Sequence, residues 1–149
     1  MQIQTRAFGP IDIDQDQVLT LTEPMVGFPG HERFAVLDPD PEAPFKWFQA
    51  VDRADLCFLI ADPRYFFPDY RVELKAAALA DLQIAEDTQA AVAVVLNVPG
   101  DPTQATANLL APVVFNTERK LARQVILDGT QYGVRTPLFP EEKQVCHGP

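Results

Sequence analysis

Ala91-Val92-Ala93-Val94-Val95-Leu96-Asn97-Val98 is the stretch that decides the fold class. It is a continuous apolar run rich in valine, a β-branched residue that loses side-chain freedom in a helix and packs well on a pleated surface. A run of this length without alternation predicts a strand buried on both faces, or one lying in a barrel wall. Working outward, Val113-Val114-Phe115 and Gln124-Val125-Ile126-Leu127 follow it, with a turn expected at Asp128-Gly129. Leu56 to Ile60, Trp47-Phe48-Gln49-Ala50-Val51 and Phe34-Ala35-Val36-Leu37 precede it. Nearer the start, Val18-Leu19-Thr20-Leu21 and Ile11-Asp12-Ile13-Asp14 alternate apolar and polar residues, the period of a half-exposed strand.

Fourteen prolines, about twice the usual share, fall between these runs and cut the chain into short segments. That argues against a helical bundle. One segment departs from the pattern. Glu73 to Gln83 is rich in alanine and leucine, and Leu74, Ala78 and Leu82 share one stripe of a short helix. Glu73 is expected near its positive end. The prediction is a mainly β, small antiparallel barrel-like fold of about eight short strands with one short helix. A barrel also removes most free sheet edges. From Phe139 onward the sequence lacks a period, and a mobile tail is expected over 139–149.

The chain has 149 residues, a formal charge of -9 and a sequence pI of about 4.5. That length suits one domain with a real core. A surface this acidic repels phosphate backbones and attracts basic partners, so direct nucleic-acid binding is disfavoured. The start, Met1 to Arg6, has no hydrophobic stretch behind a basic one, and no apolar run approaches the ~20 residues of a membrane helix. A cytoplasmic location is the expectation.

Candidate chemistry is sparse. The sequence contains no serine, which excludes serine-hydrolase mechanisms. His31 and Cys57 are a conceivable nucleophile pair, but Cys57 lies mid-strand in apolar company, where a thiolate is disfavoured. A disulfide between Cys57 and Cys146 has no other oxidising signature to support it. Cys146-His147 has no second pair at zinc spacing. Asp12, Asp14 and Asp16 alternate as at the start of a calcium loop, with Glu23 at its twelfth position, yet Gln17 stands where the turn wants glycine. Carboxylate pairs such as Asp38 with Asp40, Asp52 with Asp55, and Glu86 with Asp87 read as solvated surface among 21 acidic residues. No metal or cofactor is expected. The competing reading is a small hydrolase or isomerase using barrel carboxylates, which requires a pocket of convergent, perturbed acids.

Asp62-Pro63-Arg64-Tyr65-Phe66-Phe67-Pro68-Asp69-Tyr70 sets four aromatics between two prolines and two aspartates, a stiff loop rather than ladder interior. Two readings stand open. Phe66 and Phe67 fold back over the barrel mouth as a plug, or the rings are exposed anchors for a protein partner. Tyr65 and Tyr70, each with a polar tip, are the better contact candidates.

At this loop the sequence resembles a known family. Phe66-Phe67-Pro68-Asp69-Tyr70, with Glu73-Leu74 after it, is similar to the FFPDY-x-x-EL signature of FliW flagellar assembly factors. Thr106 to Asn116 resembles the family's TANL-x-API-x-x-N segment, and Arg123 to Asp128 with Tyr132, Arg135 and Leu138 resembles its closing segment. Ile3 to Arg6 and Gly27-Phe28-Pro29-Gly30 resemble its opening strand and GxPG turn. The likeness spans a single domain, 1–138. His31 stands where the family usually has an aromatic, Gly133 replaces a common proline, and Arg119 to Arg123 lacks a common glycine.

The resemblance implies a non-catalytic protein without a cofactor. It implies binding to CsrA, relieving repression of flagellin translation, and to flagellin itself. The contact candidates are Tyr65, Asp69 and Tyr70 in the aromatic loop, with Asn97, Thr106 and Asn108 beside the valine-rich strands. Backbone hydrogen bonding is the alternative reading for Thr106 and Asn108.

Overall fold

The computed structural model describes residues 1–86, 90–129 and 131–139. The expectations for Asp87, Cys146 and His147, and for the tail beyond Phe139, lie outside these residues. Eleven strands occur among the described residues: β1 (Gln2–Thr5), β2 (Gly9–Asp12), β3 (Val18–Leu21), β4 (Arg33–Leu37), β5 (Phe45–Ala50), β6 (Cys57–Ala61), β7 (Ala91–Asn97), β8 (Thr106–Ala107), β9 (Val113–Asn116), β10 (Leu121–Gln124) and β11 (Thr136–Pro137). The single α-helix among them, α1, spans Ala76–Leu82.

β3 to β7 form an antiparallel meander. β7 then pairs with β9, β9 with β10, and β10 returns to β3, closing a seven-strand barrel. The last pair is parallel. Neighbours that alternate in direction around a ring of odd number must leave one parallel junction, and β3–β10 is that junction. Thr20 and Thr22 donate their backbone N–H groups across it to Lys120 and Ala122. The predicted barrel-like architecture therefore holds, with short additions outside the ring: β8 and β11 extend from β7, and β1–β2 is a separate hairpin.

The period of two sorts side chains into layers. Leu19, Phe34, Phe48, Ile60, Ala93, Val113, Phe115 and Ala122, drawn from all seven ring strands, form one cluster, the barrel interior. Phe34 and Phe48 are fully buried and stack at 4.6 Å. Truncating either to alanine costs about 3–5 kcal/mol. The alternate residues Ala61, Val94 and Leu96 join an outer cluster with Tyr70, Ala107, Leu109, Leu127 and Leu138. β7 is thus buried on both faces, as its unbroken apolar run predicts. A second outer cluster pairs Ala35 and Leu37 with Ile3 and Ile13 of the hairpin segment.

Two local expectations shift. The expected strand Gln124 to Leu127 lies three residues earlier, at Leu121–Gln124. Gln124 pairs with Val113, and the next position opposes Pro112. Val125 donates to the Pro112 carbonyl at 2.9 Å, but proline has no N–H to return, so the ladder ends there. The helix starts at Ala76 with Lys75 as its N-cap, which leaves both Glu73 and Leu74 outside it. Ala78 and Leu82 are buried as the stripe predicts. Asn116 closes the other end, its Nδ2 donating to the carbonyls of Leu82 at 2.8 Å and Gln83 at 3.3 Å. The Asp128-Gly129 turn is present, with Gly129 at φ +77°, where a Cβ would be strained.

Candidate functional site

The aromatic loop begins with a single 3-10 turn, Pro63–Tyr65, capped by Asp62. The Asp62 carboxylate accepts from the Arg64 backbone N–H at 2.9 Å and pairs with its guanidinium at 2.7 Å. That bond holds the Asp62 carboxyl below the usual carboxylate range. The turn throws Tyr65 outward, 69% exposed, while Phe66 and Phe67 fold back. Phe66 stacks on Phe45 at 6.0 Å. The two phenylalanines cover the outer face of the β6–β7 wall, so they are not a plug over the mouth: inward positions of the ring already belong to other side chains.

Tyr70 is buried at 8% exposure. Its hydroxyl donates to the Leu109 carbonyl at 2.6 Å, and its ring meets Tyr132 edge-on at 4.6 Å. Its polar tip is thus committed within the fold. Asp69 is exposed beside it. Asn97 and Thr106 are cross-strand partners on β7 and β8, Asn97 exposed and Thr106 half-buried. Asn108 accepts from the Ala111 N–H at 3.0 Å, a backbone-holding bond. The six residues do not converge: Tyr65 and Asp69 face solvent on one loop, and Asn97 and Thr106 share a rung of the sheet extension.

Two clefts lie elsewhere. The larger, about 750 Å³, runs between the segment after β3, the approach to α1, and residues 123–128. Val26 and Ile126, 64% and 50% exposed, are apolar groups on its walls. Gln124 ties the walls together, accepting from the Val26 N–H at 2.9 Å and donating to the Ala111 carbonyl at 3.1 Å. Arg123 bridges Asp81 at 3.2 Å and Glu23 at 3.5 Å, and its Nε is buried without a hydrogen-bond partner. Around these sit Arg71, Glu73, Lys75 and Asp128. None of the sequence-selected contact residues lines this cleft. The readable signal was Pro112: by ending the β9–β10 ladder it frees the chain after Gln124. Leu127 then turns inward, its N–H bonded to the Leu110 carbonyl, and Ile126 turns out.

The smaller cleft, about 520 Å³, is the open end of the barrel. Inward residues Leu19, Ile60, Ala93 and Phe115 line it, with Lys46, Lys120, Asp16, Asp62 and Tyr65 around it.

The groups with intrinsic reactivity are dispersed. Burial pushes the Cys57 thiol up to about 11. The His31 Nδ1 lies 3.0 Å from Asp52. Asp55 pairs with Arg53 at 2.8 Å, a bond that lowers its carboxyl pKa, and Asp38 pairs with Lys46 at 3.7 Å. Asp14 caps a 3-10 turn over Gln15–Gln17, and β3 follows at Val18, where a calcium loop would continue. No cluster of three or more His, Cys, Asp or Glu occurs among the described residues. No helix among them is long and apolar enough to cross a membrane.

A family model described as FliW protein matches residues 2–138. The chain belongs to the FliW family. The flagellar assembly factor FliW of Geotalea uraniireducens (strain Rf4) is 38% identical over 146 residues, covering 97% of this chain and 89% of that one. The FliW of Thermoanaerobacter pseudethanolicus (strain ATCC 33223 / 39E) is 35% identical over 144 residues, with 96% of each chain covered. A crystal structure of the flagellar assembly factor FliW superposes with a TM-score of 0.88 at 34% identity, covering 95% of this chain and 99% of that chain. The FliW relatives are named as assembly factors, and this chain shares the fold of that crystal structure across nearly its whole length.

Proposed function

We propose that this FliW-family chain works by contact: it binds the translational regulator CsrA, relieving its repression of flagellin mRNA, and binds flagellin as a chaperone-like partner in the cytoplasm. The observation that carries the reading is the 750 Å³ cleft, where exposed Val26 and Ile126 share the walls with side chains of both charge signs. Apolar anchors within a polar rim are the anatomy of a protein interface. The net charge of -9 favours a basic partner such as an RNA-binding regulator. An acidic protein docked beside an RNA path repels phosphates without entering it, provided it lies within the ~8 Å screening length. Competition with simple mutual displacement by RNA would count against that version.

The same reading is non-catalytic. Asp38 and Asp55 pair with separate cations, Asp81 and Glu23 share Arg123, and the one described thiol is held protonated at neutral pH. The test is retention of CsrA and flagellin from the native cytoplasm by wild-type protein and by Ile126→Asp. Both partners are expected on the wild type, with a loss of at least tenfold for the variant. Retention of neither by the folded wild type overturns the proposal, and undiminished retention by Ile126→Asp removes the cleft from it.

A further inference from the structure

The mouth of the barrel has a different construction from the cleft. β7 begins at Ala91, but its pairing with β6 stops at Val94 opposite Ala61. Ala91, Val92 and Ala93 therefore have no ladder partner on that side, where the Pro63–Tyr65 turn approaches β7, while their other side is paired to β9. Val95 presents its carbonyl to Asn108 on the β8 side. By the alternation of a strand, Val94 and Val92 present theirs to the β6 side, so the backbone of Val92 faces a notch in the wall. Short unpaired edges of this kind accept an extended chain. Ala91 shares the inward face of Ala93 and is solvent-exposed, so the notch leads to the apolar throat over Leu19, Ile60 and Phe115.

Charge and ring placement add to this. In a chain carrying -9, two lysines, Lys46 and Lys120, line this opening with Asp16 and Asp62, and Asp62 is paired with Arg64. Lys46 has Asp38 as its partner at 3.7 Å. Among the described residues, no carboxylate lies within 4.0 Å of the ammonium of Lys120, a half-buried residue. Its backbone adopts φ +57°, a left-handed conformation that costs a residue with a side chain about 1 kcal/mol and that glycine would take freely. A lysine lining an apolar throat complements an anion attached to an apolar group. Tyr65, 69% exposed, lines the opening as aromatic contact surface.

We propose that the barrel mouth is a docking site for an extended segment of a protein partner that places a bulky apolar side chain in the throat and an adjacent carboxylate on Lys120. The unpaired edge at exposed Ala91 and the outlying Tyr65 favour a peptide over a free amphiphilic anion, which would use the throat and the lysine alone. The site shares no lining residue with the larger cleft, and the proposal does not rest on that cleft's role.

A displayed random dodecapeptide library, selected on wild-type protein alone and the selected peptides then measured on Ala91→Trp, tests it. Ala91 is exposed, so the tryptophan fills the opening without entering the core; circular dichroism checks its fold. Selected peptides are expected to share a large apolar residue next to Asp or Glu. A synthetic one should weaken at least tenfold when its acid is changed to the amide, and Lys120→Gln should erase that difference. Amide shifts in NMR should centre on Ala91 to Ala93, Tyr65 and Lys120. Peptides lacking the acidic residue, equal binding to Ala91→Trp, or equal displacement of the peptide by octanoate would each overturn the proposal. Ile126→Asp should leave peptide binding unchanged, so failure here and failure of the cleft are separable.

Discussion

Tyr70 sits within the motif most characteristic of the sequence, yet the fold uses it as a rivet. Tyr70→Phe keeps the ring against Tyr132 and removes one donor, leaving the buried Leu109 carbonyl without its 2.6 Å partner. An orphaned buried acceptor costs about 1–3 kcal/mol. With ~2.1 cal/mol/K of unfolding entropy per residue over 149 residues, a loss of about 2 kcal/mol lowers Tm by about 6 °C. Tyr70→Ala also opens a cavity and should cost about 3–5 kcal/mol. Urea unfolding followed by fluorescence should show a lower midpoint with an unchanged slope. The pH dependence gives a second reading. Burial raises the Tyr70 phenol above its ordinary value, so its contribution is complete below about pH 10 and is lost as pH rises toward the folded-state value. Tyr70→Phe should therefore flatten the alkaline loss of stability. An unchanged urea midpoint, or loss of CsrA retention at full stability, would refute the structural role and return Tyr70 to the contact surface.

Asn116→Ala removes the amide that closes α1 and the acceptor for the Arg119 N–H at 3.1 Å, and should cost about 2–3 kcal/mol in urea unfolding. In a Cys146→Ser background, Cys57 should react with iodoacetamide at pH 8 about a hundredfold more slowly than a thiol with pKa 9.0, because its own value near 11 cuts the thiolate fraction by that factor. A rate matching a free thiol would show that the strand leaves it accessible and ionised. Lys120→Gly should raise stability by about 0.5–1 kcal/mol by relieving the left-handed backbone, while abolishing the acid preference at the barrel mouth. Lower stability would mean that the lysine side chain contributes more than the strain costs.

Much of the architecture was legible along the chain. The β3 to β7 strands follow local alternation or unbroken valine-rich runs, signals carried by neighbouring residues through the period of two. The helix was legible from Ala78 and Leu82, and the turn from Asp128-Gly129. The end of β10 was not read, because it depends on which residue lies across the ladder. Pro112 was in view, but its missing N–H matters only once register places it opposite Val125.

The candidate sites show the same division. Composition and the aromatic loop pointed to contact rather than chemistry, and family motifs spread over residues 2–138 carried membership. Which aromatics face out was a tertiary outcome: Tyr65 and Tyr70 share a loop and a polar tip, but only Tyr70 finds a buried carbonyl within reach. Likewise Val26 and Ile126, about a hundred positions apart, meet at one cleft through a side chain of Gln124. Local sequence sets the strand period and the turns because those energies arise between near neighbours. Ring closure, the parallel junction and the exposed patches arise between distant segments, and only the folded chain decides them.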